Sequence, residues 1–139
     1  MILLDTSGVI AALDADEPGH EAAARALESV QSPWFLSPFV LAELDYLVAR
    51  RGGVAAEVAL LSEVAAGGYQ LAGFDSDDLV RATNVIERYR DLRLGLADAS
   101  IVVLADRYGV RDVLTLDERH FRAIAGPKGK AFRLLPADA

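Results

Sequence analysis

Met1-Ile2-Leu3-Leu4-Asp5-Thr6-Ser7 opens the chain with an apolar run that ends in an acid and two hydroxyl residues. A run this short and this apolar reads as a buried strand, with Asp5 at its carboxyl end and Thr6 and Ser7 placed to cap a following helix. The pattern returns late in the chain as Val113-Leu114-Thr115-Leu116-Asp117. Between and after these runs, strands are expected at 33–37, 69–74 and 131–135, besides 1–5 and 111–115. Helices are expected at 6–13, about 18–31, 38–50, 54–66, 76–90, 97–108 and 117–124. Short β-rich runs alternating with helices imply one α/β domain over residues 1–139. It is an α/β/α sandwich with a mainly parallel central sheet flanked by helices. Ligands of such sheets bind beyond the carboxyl ends of the strands. Asp5 and Asp117 are therefore the first residues to weigh.

The 139 residues suffice for one core, and 53% hydrophobic with 25% charged residues describes a globular chain. No apolar run reaches the roughly 18 residues that span a bilayer, and the start lacks a basic segment, so neither an anchor nor a signal peptide is expected. Zero cysteines exclude disulfides, thiolate catalysis and Cys-type zinc sites, and fit a reducing cytoplasm. The net charge of −7 argues against nonspecific coating of nucleic acid. That charge is uneven: residues 1–80 carry three arginines against 13 acids, and residues 81–139 carry 11 basic residues against 8 acids. Arg88, Arg90, Arg93, Arg107, Arg111, Arg119 and Arg122 either decorate helix exteriors beside acids or line a phosphate-bearing groove near an acidic centre.

Two further acids join the first two. Glu43 borders the helical stripe of Phe39, Val40, Leu44 and Leu47, where a carboxylate is costly to bury without a partner or a cation. Asp45, two residues on, faces another way and reads as structural or solvated. Asp98 opens the most apolar helix, Leu96-Ala97-Asp98-Ala99-Ser100-Ile101, where the helix dipole favours an ionised acid. Each acid has a plain alternative as a cap, turn or dipole partner, and Asp106 and Asp112 read as surface residues. Several acids at one sheet edge would repel one another unless a cation offsets them. All-oxygen ligation selects a hard ion, Mg²⁺ or Mn²⁺, which can activate water and stabilise charge on a phosphate. Thr115 is placed to hydrogen-bond an acid or a ligand oxygen. His20 reads as a surface residue and His120 as structural. No phosphate-binding Gly-x-x-x-x-Gly-Lys loop and no Gly-x-Ser-x-Gly elbow is present.

Taken in order, Ile2-Leu3-Leu4-Asp5-Thr6-Ser7, Ser37-Pro38 through Ala42-Glu43-Leu44, Leu94-Gly95-Leu96-Ala97-Asp98-Ala99 and Leu114-Thr115-Leu116-Asp117-x-x-His120-Phe121 span nearly the whole chain. In that order and spacing the sequence resembles the PIN-domain nucleases, specifically the VapC toxins of bacterial type II toxin–antitoxin pairs. Ala42-Glu43-Leu44-Asp45-Tyr46-Leu47 looks most like actinobacterial members. The resemblance implies a metal-dependent endoribonuclease in which Asp5 and Asp98 are the main Mg²⁺ ligands. Glu43 would complete the metal shell or act through water, Asp117 would support a second ion or position the nucleophile, and Thr6 or Thr115 would hydrogen-bond within the site. It also implies a homodimer and a VapB-type antitoxin that covers the groove. The helix at 38–50 and the wide apolar face at 54–66 are candidate surfaces for those contacts. The alternatives are a housekeeping PIN-domain nuclease and a non-catalytic PIN-like binding module. A phosphatase with an Asp5 nucleophile would want an acid where Ser7 stands, and a receiver-like domain would want a lysine after a late strand, whereas Lys128 and Lys130 lie in a loop-like segment.

Overall fold

In the structure, a computed structural model describing residues 1–139, five strands form one wholly parallel sheet in the order β3-β2-β1-β4-β5. The chain runs β1 (Ile2–Leu4), α1 (Thr6–Leu13), α2 (His20–Ser29), β2 (Trp34–Leu36) and α3 (Pro38–Ala65). It continues through β3 (Gln70–Leu71), α4 (Ser76–Arg88), α5 (Leu96–Tyr108), β4 (Asp112–Leu114), α6 (Glu118–Ala123) and β5 (Arg133–Leu135). Every parallel neighbour requires a crossover, and the helices supply it, covering both faces. Ile2, Leu3, Leu4, Val113, Leu114, Leu134 and Leu135 are accordingly all buried.

The order places β1 between β2, which follows it, and β4, which comes much later. The strand order thus reverses beside β1, and a crevice opens there at the carboxyl ends of β1 and β4. Register carries the residues into it: Leu4 pairs with Leu114, and the Asp5 amide donates to the Leu114 carbonyl at 3.1 Å. Asp5 and Thr115 therefore leave adjacent strands side by side. Gly8, one turn into α1, lets that helix lie on β4; a Cβ there would stand 2.3 Å from the Leu114 carbonyl oxygen.

The break expected at Arg51-Gly52-Gly53 falls at Gly53, whose φ of +78° interrupts α3 and separates two helical halves. The wide apolar face of the second half is only partly used. Leu60 and Val64 are buried, while Val54 and Val58 are exposed. α5 is the core helix, with every residue from Ala99 to Ala105 buried. Its one buried hydroxyl, Ser100, lies 2.6 Å from that of Ser37, which accepts the Phe39 amide at 3.2 Å as the cap of α3. That link fixes the start of α5, with Asp98, against the start of α3, with Glu43. No helix is long and apolar enough to cross a membrane.

Candidate active site

Asp5, Thr6, Ser7, Glu43, Asp98 and Asp117 line one cleft of about 380 Å³ at the carboxyl edge of the sheet. Each acid arrives from a different element, and each meets a different hydrogen-bond donor.

Asp5 forms the floor of the cleft. It is 7% exposed, and its Oδ2 accepts from Thr115 Oγ1 at 2.7 Å and Ser7 Oγ at 3.0 Å. Thr115 Oγ1 also accepts the Asp117 amide at 3.0 Å, and Ser7 Oγ accepts the Leu116 amide at 3.0 Å. The two hydroxyls thus rivet the end of β1 to the end of β4. Burial pushes the Asp5 carboxyl above the usual carboxylate range; hydrogen bonds from Thr115 and Ser7 oppose this, and the nearby charge of Asp98 adds to it. The expected capping by Thr6 and Ser7 does not occur. Neither caps α1, because Ser7 turns down to Asp5 and Thr6 reaches across to donate to Glu43 Oε1 at 2.9 Å.

Asp98 lies in the first turn of α5, and its Oδ2 is 2.9 Å from Nδ1 of His120 on α6. Both side chains are about one quarter exposed. Asp117 caps α6 by accepting the Arg119 amide at 3.2 Å, and its carboxylate also takes the Arg119 guanidinium at 3.3 Å. Hydrogen bonding from Arg119 holds its carboxyl below the usual range. Asp117 is both the expected helix cap and a lining residue of the cleft.

Two residues of this site were not singled out as functional from the sequence, Ser7 and His120. Ser7 lies two residues after Asp5, and His120 three after Asp117, on the same face of the next turn. That spacing is the available signal. His20 is less exposed than expected, with Nδ1 2.7 Å from the Ala11 carbonyl. Asp45 points away from the cleft, with Oδ1 enclosed and without a donor. Asp106 is exposed, and Asp112 pairs with Arg133 at 2.9 Å. Of the expected surface cations, Arg90, Arg107, Arg119 and Arg122 each reach an acid. Only Arg119 does so at the cleft.

No three acidic or histidine side chains converge closely enough to enclose an ion as they stand. The donor chemistry nonetheless suits a hard cation. The cleft is polar, its candidate ligands are oxygens, and its buried acid is one whose ionisation a cation would favour.

The sequence matches the PIN domain family over residues 2–127. It is 45% identical to Ribonuclease VapC26 of Mycobacterium tuberculosis over 135 residues, which is 97% of this chain and 100% of that protein. The chain belongs to the VapC family of PIN-domain proteins. Solved structures share the fold. The VapC20 toxin of Mycobacterium tuberculosis, described as cleaving the Sarcin-Ricin loop, superposes with a TM-score of 0.78 at 24% identity, covering 86% of this chain and 92% of that one. The DNA-bound VapBC of Salmonella typhimurium gives 0.68 at 18% identity, over 96% of each chain. As a VapC family member, the chain carries the expected α/β fold, and the four acids fall at the reversal point of its strand order.

Proposed function

We propose that this chain is the toxin of a type II toxin–antitoxin pair, an endoribonuclease that hydrolyses RNA phosphodiester bonds with Mg²⁺ or Mn²⁺ in the cytoplasm. The observation that carries the reading is the delivery of Asp5, Glu43, Asp98 and Asp117 from four separate elements into one cleft of a VapC-family fold. Near-full-length identity to a protein named as a ribonuclease supports it.

Asp5, Asp98 and Glu43 would hold the ion, which when bound supplies an activated water and positive charge for the phosphate. The remaining chemistry belongs to the chain. Ser7 and Thr115 keep one oxygen of Asp5 oriented, His120 holds Asp98, and Thr6 holds Glu43. Ion binding would draw on carboxylate oxygens that these donors pre-position. Asp117, kept ionised by Arg119, is the acid placed to orient an attacking water at the rim of the cleft. A VapB-type antitoxin would cover the cleft together with the neighbouring apolar depression of about 770 Å³ between α1 and α3, which shares Ile10 and Arg51 with it. The toxin itself would act as a homodimer.

The test is purified protein on mixed RNA with Mg²⁺, Mn²⁺ or EDTA, beside Asp98→Asn. Cleavage should need the metal and fall by roughly a hundredfold or more in the variant. Cleavage that survives EDTA, or that Asp98→Asn leaves intact, overturns the metal-nuclease reading. Growth arrest on expression that a small neighbouring open reading frame relieves separates a toxin from a housekeeping nuclease, and the absence of any cleavage favours a binding module.

A further inference from the structure

Eight of the fourteen lysine and arginine side chains pair with a carboxylate. Of the six that do not, four gather in one place. Arg88, Arg111, Lys128 and Lys130 line two adjoining depressions, of about 330 and 260 Å³, that meet at Lys128. The smaller has no hydrophobic residue in its lining, and its only charged groups are Arg111, Lys128 and Lys130. Asp106 is the one acid in the larger. In a chain of net charge −7, cations with ample acids elsewhere have been left together and unpaired. Such a cluster repels itself unless an anion fills it.

The cluster is built on a pinned turn. The Gly126 amide donates to the Lys130 carbonyl at 2.9 Å, and those of Gly129 and Lys130 donate back into the turn at 3.0 and 3.2 Å. Ala125 bridges to Ala131, and its amide donates to the Tyr89 hydroxyl at 3.1 Å. Gly126 is required for this closure, because a Cβ would stand 2.5 Å from the Lys130 carbonyl oxygen. Lys128 adopts a left-handed φ of +56°, a costly conformation for a non-glycine residue.

The position matters as much as the charge. Arg111 precedes β4 and Lys130 precedes β5, so the cluster sits at the amino edge of the sheet, opposite the acids. α5 joins the two, with Asp98 in its first turn and Gly109, which lines the basic depression, as its C-cap. Eleven residues along the helix separate Asp98 from Gly109 by about 16 Å.

We propose that residues 126–130 with Arg111 and Arg88 form a second RNA-backbone site, which grips phosphates of a folded RNA about one helix length from the phosphate that is cut. The proposal rests on the ribonuclease reading and narrows its substrate to an RNA large enough to reach both edges of the sheet. Unpaired cations suit phosphate, which positions without reading sequence; the depression that holds Arg111, Lys128 and Lys130 offers none of the hydrophobic side chains that anchor a protein partner.

The test compares wild type with Arg111→Gln/Lys128→Gln/Lys130→Gln on two RNAs: a folded RNA whose cleavage junction has been mapped, and a short oligonucleotide carrying that junction alone. The folded RNA should show KM raised roughly tenfold with kcat little changed, and the oligonucleotide no change. Binding of labelled folded RNA to Asp98→Asn protein, with and without the triple substitution, should lose about 2 to 3 from its salt slope. No change, or equal losses on both RNAs, overturns the proposal. So does poly-glutamate that displaces the RNA from these residues at equal charge concentration, which would assign the site to an acidic protein. Should wild type cleave neither RNA, the ribonuclease reading falls while the binding arm still decides the site. If the triple variant melts early, the exposed Lys130→Glu carries the same test.

Discussion

The carboxyl edge of the sheet and the outer half of α3, residues 54–65, are both acids set among apolar residues, with opposite outcomes. At the edge three of the four carboxylates have a donor from another element, Thr115 and Ser7 for Asp5, His120 for Asp98 and Thr6 for Glu43, and Asp117 has Arg119 of the helix it caps. Across the Gly53 break, Asp45 Oδ1 is enclosed without a donor, and the neighbouring Asp45 carboxylate raises the facing Glu57 carboxyl above the usual range. The apolar residues differ in the same way. Leu4, Leu114 and Phe121 are buried under the edge, while Val54 and Val58 remain 72% and 54% exposed. The edge is held by contacts between distant segments, so its geometry is fixed before any ligand arrives. The outer half rests on few buried side chains and leaves much of its apolar face exposed.

One substitution made in both regions separates them most sharply. Gly8→Ala drives a Cβ into the Leu114 backbone and should destabilise by roughly 3 kcal/mol, abolishing cleavage. Gly53→Ala meets nothing within 4 Å and costs only the strain of its φ of +78° and ψ of −174°, roughly 1–3 kcal/mol, with cleavage retained. Chemical denaturation measures both, and a larger loss at Gly53 breaks the comparison. A second pair acts on side chains. Thr115→Val removes a donor from a buried acid and should cost roughly 1–3 kcal/mol, lowering cleavage as well. Val58→Thr, on the exposed face, should stay within about 0.5 kcal/mol. Equal costs would mean that the outer half packs more tightly than its exposure shows.

This contrast also explains what could be read from the chain beforehand. Ile2-Leu3-Leu4 and Val113-Leu114 announce buried parallel strands because both faces of each are covered, so the apolar run is unbroken. Asp5 and Asp117 were legible because they end such runs, and Glu43 because it interrupts an apolar helix face. Ser7 and His120 were not. Besides Asp5, Ser7 meets Thr115, 108 residues away, and His120 meets Asp98, 22 away, and only the strand order makes these neighbours. The same lack of long-range information left Thr6 and Ser7 as expected caps, when the fold offers their hydroxyls charged acceptors instead. It also left undecided which face of residues 54–66 is covered, because helical periodicity locates a stripe without saying what lies opposite it.

The smallest effect concerns α6, the wall that carries Asp117 and His120. Asp138 anchors the end of the chain to it: its carboxylate accepts from Arg122 through two contacts of 2.7 Å and from the Leu134 amide at 2.7 Å. Arg122 chiefly, then the Leu134 amide, lower its carboxyl to about 2 from an ordinary 3.8. A depressed folded value means the stabilisation is full above 3.8 and disappears as pH falls through 2. Asp138→Asn should therefore lower the melting temperature slightly at pH 7, with a gap that narrows below pH 4 and closes near pH 2. A gap for Asp138→Asn that persists at pH 2 would assign the anchor to packing rather than charge. It would also mean that α6 needs no ion pair to hold His120 against Asp98.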